Sequence, residues 1–308
     1  MKRILITGSN GLLGQNLVEL LSNSPNYPML LTSRQESSVF QPDRFQYRQL
    51  DISHKQDVLR VVEEFEPEII VNAAAFTNVD QCEQQREVAW RANVTGVEHL
   101  TYAAKLVGAK MIHISTDYVF DGRNGPYGEI DRPNPLSYYG RTKLASENLI
   151  QTSGIPAAIL RTMILYGIGF GIKPNFPLWL LKNLTEEKPV RVVDDQIGNP
   201  TLAEDLAYAI LKVIELERTG LYHIAGPDLL SRFEFALALA RTFDFDKKLI
   251  TPVKTSAMKQ AAPRPLKSGF ITLKAQTDLD LKLSGVDHGL TTLKNQLNSN
   301  MTQYLKTL

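Results

Sequence analysis

Short apolar, β-branched runs alternate along the first half of the chain with longer stretches whose apolar residues recur every three to four positions. Ile4-Leu5-Ile6-Thr7 reads as a buried strand. A helical pattern follows from Leu12 to Leu21. Met29–Leu31 and Phe45–Leu50 predict two further strands, Lys55–Phe65 a helix, and Ile69 to Ala75 a strand opened by Pro67. One long helix is predicted over Gln81–Leu106. Asn93 falls in its middle, where asparagine is a poor helix former, so its amide is expected to bond a neighbouring loop. Met111 to Asp117 reads as a strand, with His113 at an interior position that favours a core role over a catalytic one. A Gly- and Pro-rich loop, Gly122–Pro135, then leads to Ser137, a helix cap, and to the helix that opens at Tyr139. This order predicts an α/β fold: a Rossmann-type, doubly wound parallel sheet.

Past an apolar run at Ala157–Leu160 the alternation weakens. Helices are expected over Phe176–Leu184, Leu202–Glu217 and Phe233–Phe243, strands over Val190–Val193 and Gly220–Ala225, and an amphipathic final helix over Leu290–Leu305. Pro252–Pro265 reads as irregular chain able to close on a substrate. The expected division is residues 1–165 as a cofactor-binding domain, its last strands completed from within 200–225, and residues 166–308 as a smaller substrate-binding lobe.

The chemistry sits at strand ends. Gly8-Ser9-Asn10-Gly11-Leu12-Leu13-Gly14 joins the first strand to the first helix in a G-x-x-G-x-x-G spacing. The glycines permit a tight turn, close approach of a pyrophosphate and close helix–strand packing, and the helix terminus offers free N–H groups. After the second strand stand Ser33 and Arg34 where an acid would bind a ribose 2′-hydroxyl; an arginine there suits a 2′-phosphate, so the pair argues for NADP over NAD. Asp51-Ile52 ends the third strand, beside the adenine or as the stop signal of the next helix. Ala73, Ala74 and Ala75 leave room for a cofactor against the backbone, or for tight helix packing. Thr116 ends its strand as a hydroxyl able to hold a substrate oxygen. Tyr139 and Lys143 stand four apart on one helix face, where the ammonium is expected to lower the phenol's pKa and make it a proton donor or acceptor.

Composition narrows the classes. The 308 residues carry a formal net charge of +1, with 43 % hydrophobic and 22 % charged residues, which gives no electrostatic case for nucleic acid or an anionic membrane. The single cysteine excludes an intrachain disulfide, and the 5 scattered histidines make no metal-binding spacing. No apolar run approaches the roughly 20 residues of a membrane span. Too few residues precede Gly8 for a signal peptide, and cytoplasm is the expected location.

Taken together, the glycine pattern, Asn72-Ala73-Ala74-Ala75, Ser115-Thr116-Asp117-Tyr118-Val119-Phe120 and Tyr139-Gly140-Arg141-Thr142-Lys143 resemble the extended short-chain dehydrogenase/reductases, and within them the dTDP-4-dehydrorhamnose reductase subfamily. Asp195-Gln196-x-Gly198-x-Pro200-Thr201 and Arg264-Pro265-x-x-Ser268 extend the resemblance over nearly the whole chain. It implies an NADPH-dependent reductase of a nucleotide-linked 4-keto-6-deoxysugar. Thr116, Tyr139 and Lys143 are its expected catalytic residues. Gly8, Asn10, Gly11, Leu12, Leu13, Gly14, Ser33, Arg34, Asp51, Ile52, Ala73, Ala74, Ala75 and Thr77 are expected to join Tyr139 and Lys143 around the cofactor. Val79, Thr116, Tyr118, Asn175 and Arg264 are expected on the nucleotide sugar, with Arg264 at its diphosphate or else in a surface salt bridge. A homodimer is an expected partner state. Two positions depart from the subfamily. Ile164 stands where relatives commonly carry Trp, which bears on the sugar. Gln15-Asn16 stand where some carry a magnesium-binding glutamate, so no metal is predicted. The alternatives are a silent NADP-binding regulatory subunit like that of methionine adenosyltransferase, or another nucleotide-sugar epimerase or reductase. A dehydratase is disfavoured because Tyr118 follows Asp117.

Overall fold

The computed structural model describes residues 1–41 and 44–299. Its strands are β1 (Ile4–Thr7), β2 (Met29–Ser33), β3 (Gln46–Gln49), β4 (Ile69–Asn72), β5 (Lys110–Thr116), β6 (Ala157–Thr162), β7 (Leu165–Tyr166), β8 (Val190–Val193), β9 (Ile197–Gly198), β10 (Thr201–Leu202), β11 (Gly220–His223), β12 (Leu230–Ser231) and β13 (Ile250–Val253). The helices are α1 (Leu12–Leu21), α2 (Lys55–Phe65), α3 (Val79–Gln84), α4 (Arg86–Trp90), α5 (Gly96–Val107), α6 (Tyr138–Thr152), α7 (Phe176–Thr185), α8 (Ala203–Glu215), α9 (Arg232–Thr242), α10 (Leu273–Asp278) and α11 (Val286–Ser299).

Seven strands form one parallel sheet in the order β11-β6-β5-β4-β1-β2-β3. The order reverses between β1 and β4, so the crevice for a ligand opens at the carboxyl ends of those two strands. Alternation along β1 assigns its side chains to opposite layers. Ile4 and Ile6 pack with Leu17 of α1 and Leu206 and Ile210 of α8, whereas Leu5 packs with Val58 of α2 and Leu100 of α5. A separate core, containing Tyr166, Leu178, Leu181, Val190, Phe235 and Leu290, holds the elements that follow β6. Three two-stranded sheets, β10-β7, β12-β9 and β13-β8, stitch that region together.

Helices α1 and α2 have the ends that the hydrophobic periodicity predicts. The long helix expected over Gln81–Leu106 is instead broken into α3, α4, a π-helical turn at Arg91–Thr95, and α5. Asn93 explains the irregularity. Its Oδ1 accepts from Phe76 N at 2.8 Å, while its Nδ2 donates to Phe76 O at 3.1 Å and to Thr142 Oγ1 at 3.0 Å. An inserted residue turns this amide inward, where it satisfies the backbone of the loop beside the crevice and ties it to α6. Pro252 also differs from expectation, lying in β13 rather than in irregular chain. The final helix is described as far as Ser299; the rest of the predicted Leu290–Leu305 helix lies outside the described residues.

Truncating Asn93 leaves the part-buried Phe76 N–H without its acceptor and takes one donor each from Phe76 O and the buried Thr142 Oγ1. Asn93→Ala is expected to lower unfolding free energy by about 2–4 kcal/mol in urea titration; a change within about 0.5 kcal/mol would show that this amide does not hold the loop.

Candidate active site

The crevice begins at the β1–α1 loop. Gly8 has φ +70°, and a Cβ there would stand 2.7 Å from Ala74 N and 2.8 Å from Ala73 C, so only glycine allows the two strand ends to approach. Helix α1 is capped by Gly11, which has no side chain to cover the first-turn N–H groups, and no acidic residue lies in that turn. The helix terminus is therefore open to an anion. A cavity of about 450 Å³ runs from Gly8, Asn10, Gly11 and Leu12 past Ser33, Arg34, Asp51 and Ile52 to Ala73, Ala74, Ala75 and Thr77. Ser33 is the last residue of β2, and its Oγ lies 2.8 Å from Tyr47 Oη. The Asn10 amide holds the facing loop, donating to Ser37 O at 2.9 Å and accepting from Val39 N at 3.2 Å. Asp51 accepts from Ser53 N at 2.9 Å. Burial works to raise its pKa, but that bond together with Arg34 and His54 holds it below the usual carboxylate value.

Gln15 and Asn16, the residues in place of a glutamate, hold the chain opposite. Gln15 Oε1 accepts from Phe170 N at 2.7 Å, and Asn16 Nδ2 donates to Ile168 O at 3.3 Å.

A second cavity of about 540 Å³ continues from Gly8, Gly11–Gly14 and Ala73–Ala75 to Thr77, Val79, Thr116, Tyr118, Tyr139, Lys143, Thr162, Asn175 and Arg232. Sheet register builds its floor. Thr7 pairs with Asn72 and Asn72 with His113, so these side chains share one face at the strands' carboxyl ends. Asn72 Oδ1 accepts from Thr7 Oγ1 at 2.7 Å and from Ala74 N at 3.2 Å. Its amide must then present Nδ2 to His113 Nδ1, 3.1 Å away. Assigned from that network, His113 Nδ1 accepts and the neutral ring carries its proton on Nε2. Burial, then the Lys143 charge, holds His113 well below its usual pKa, which keeps the ring neutral. His113 is thus a buried residue, as expected, but its Nε2 lies 3.1 Å from both Ser146 Oγ and Lys143 Nζ. A protonated lysine finds no acceptor in that N–H, so its own protons are left to face the cavity.

Ser137 caps α6 by accepting from Gly140 N at 3.2 Å, and this opening turn carries Tyr139. A Cβ at Gly140 would lie 2.1 Å from Tyr118 O, so glycine is needed to seat α6 against the end of β5. Tyr139 is 8 % exposed and Lys143 2 %. The rings of Tyr118 and Tyr139 meet edge to face at 5.5 Å. The expected depression of the Tyr139 pKa is not what the protein sets up. Burial, then the Asp117 carboxylate, pushes the phenol up, against a hydrogen bond from Thr116. Burial also lowers Lys143 to about 8, against the attraction of Glu147. The result is a phenol held firmly as an acid beside an amine close to its titration point.

Behind Thr116 lies a buried ion pair, Arg161 Nη2 to Glu147 Oε2 at 2.6 Å, which also accepts from Ser115 Oγ. The Arg161 guanidinium lies 5.1 Å from the Phe120 ring centre, fixing the segment after β5.

Sequence reasoning missed two residues here. Thr162, in register with Thr116, has a buried Oγ1 with no hydrogen-bond partner on the cavity wall, a demand that a bound polar group would meet. Arg232 opens α9, and nothing in its surroundings in sequence marked it. Ile164, the residue in place of the relatives' Trp, lines the cavity at φ +45°, a strained conformation for a β-branched residue. Asn175 is committed to the fold, accepting from Leu178 N at 3.3 Å and donating to Gly167 O at 2.7 Å. Arg264 forms the salt bridge that the sequence left open, with Nη1 and Nη2 at 2.8 and 2.9 Å from the two Asp80 oxygens.

The model of the RmlD substrate binding domain matches residues 1–299. The chain belongs to the RmlD family. It is 32 % identical over 306 residues to the dTDP-4-dehydrorhamnose reductase of Aggregatibacter actinomycetemcomitans, covering 96 % of this chain and 99 % of that one. Among solved structures, a dTDP-4-dehydrorhamnose reductase from Clostridium acetobutylicum superposes with a TM-score of 0.85 at 34 % identity, over 96 % of this chain and 99 % of that one. The Bacillus anthracis reductase, solved in complex with NADP, gives 0.83 at 32 % identity over the same shares. Among the described residues no helix of this RmlD-family chain is long and apolar enough to cross a membrane.

The buried Lys143 ammonium carries a cost that can be measured. Below about pH 8 folded and unfolded chains both hold the proton and the fold bears the burial; between about 8 and 10.5 only the unfolded chain keeps it, so stability rises with pH. Lys143→Met is expected to stabilise the protein by about 1–3 kcal/mol at pH 7, with the gain shrinking above pH 8. A destabilised variant, or a gain independent of pH, would contradict this account of the site.

Proposed function

We propose that the protein is an NADPH-dependent reductase of the 4-keto group of dTDP-4-dehydrorhamnose, forming dTDP-rhamnose. The observation that carries this reading is that Tyr139, Lys143 and Thr116 share one cavity with the Gly8–Gly14 loop. The names of the relatives, and the NADP in the Bacillus anthracis structure, supply cofactor and substrate.

In this reading residues 1–165 hold the cofactor, and the lobe that follows holds the sugar nucleotide. The open N–H groups of α1 take the pyrophosphate, Ser33 and Arg34 the 2′-phosphate, and Lys143 the nicotinamide ribose. When bound, NADPH supplies the hydride for the ketone carbon. Thr116 turns its one hydroxyl proton from Asp117 Oδ1 to the ketone oxygen and fixes the ketone's orientation. Tyr139 gives its phenolic proton to that oxygen as negative charge develops there, so one hydride and one proton complete the alcohol. A phenol pushed up by burial is suited to this direction, because it stays protonated until the oxygen becomes basic. The Lys143 ammonium then steadies the phenolate that remains.

Removal of the phenolic hydroxyl tests the assignment. Tyr139→Phe is expected to lose about 10²- to 10⁴-fold in turnover, followed by NADPH absorbance, while NADPH affinity stays at the wild-type value. Turnover within a few-fold of wild type would assign the proton to another group.

A further inference from the structure

Arg232 lines the cavity without a hydrogen bond or salt bridge to a described residue, with the Asp117 carboxylate attracting it at longer range. It opens α9, and its backbone is tightly placed. Its N–H donates to Gln196 O at 3.0 Å, the preceding Ser231 pairs with Ile197 through β12 and β9, and Ser231 and Glu234 close a capping box around the helix start. From there the side chain lies against Phe176, the guanidinium 5.3 Å from the ring centre, and forms part of the wall shared with Thr116, Tyr118 and Tyr139. No hydrogen bond or ion pair from a described residue reaches that guanidinium.

The neighbouring charges are already engaged. Asp117 accepts from Ser268 Oγ at 2.7 Å and from Thr116 Oγ1 at 3.1 Å. The Arg264 fork is committed to Asp80. The Arg232 side chain is half-buried and its fork is unpaired within the described residues, and that planar fork matches two oxygens of a phosphate. We propose that Arg232 binds the diphosphate of the nucleotide sugar, in place of Arg264. The inference rests on the function proposed above for its choice of ligand. The position is consistent with that ligand: Arg232 shares the cavity wall with Thr116 and Tyr139, and the diphosphate leaves the sugar ring from C1, across the ring from the ketone at C4.

The test is a calorimetric titration of dTDP and of thymidine into wild type, Arg232→Gln and Arg232→Lys, with NADPH binding as the check on folding. Arg232→Gln is expected to weaken dTDP binding at least about tenfold, Arg232→Lys to recover part of it, and thymidine and NADPH affinities to stay unchanged. In turnover, the KM for the sugar nucleotide should rise by a similar factor with kcat within a few-fold. Unchanged dTDP affinity in Arg232→Gln overturns the inference, as does an equal loss for thymidine, which has no phosphate. A wild type that binds NADPH but not dTDP would instead defeat the proposed function, and the diphosphate assignment with it.

Discussion

The site depends on the register of three parallel strands. Because Thr7, Asn72 and His113 stand side by side at the carboxyl ends of β1, β4 and β5, one chain of hydrogen bonds passes across the sheet and up to Ser146 in α6. Every member is buried, so each must be satisfied within the chain. That demand fixes the Asn72 amide, the amide fixes the His113 tautomer, and the tautomer leaves Lys143 no acceptor in the core. A slip of one residue in β4 would turn Asn72 to the other face and break the chain at its centre. The setting of Lys143 in α6 is thereby fixed from β1, at the opposite side of the crevice.

The same cleft concentrates features that stability alone would not favour. A buried ammonium near its titration point, a phenol pushed up by burial, an unpartnered Thr162 hydroxyl and a strained Ile164 line one cavity. Unmet polar groups and backbone strain persist where the surrounding structure over-determines them, and they gather where a ligand is to be held. The packed layers on both faces of the sheet, and the separate core around α7, α9 and α11, supply that rigidity.

Much of this was legible in the sequence because it is local. Strand β1, the glycine loop and α1 lie within the first 21 positions, and their periodicities and turn residues agree with one another. Tyr139 and Lys143 are separated by one helical turn, so their spacing alone places them together. The break in the predicted Gln81–Leu106 helix was not legible in extent, since the partners that turn Asn93 inward, Phe76 and Thr142, lie far off in the chain. Arg232 and Thr162 gave no signal for the same reason: their meaning comes from which wall they face and which neighbours are already paired. The direction of the Tyr139 shift was misread because spacing reports an attractive ammonium but not burial, nor the carboxylate of Asp117 brought up by β5.

The central claim is that these groups converge to reduce a ketone at C4 of a sugar nucleotide. Turnover of dTDP-4-dehydrorhamnose with NADPH deuterated at the transferable nicotinamide C4 position, with the product analysed by NMR, tests it most directly. The account predicts one deuterium at sugar C4 of dTDP-rhamnose for each NADPH oxidised. Deuterium at another carbon, or a sugar left as the ketone with NADPH intact, would contradict it.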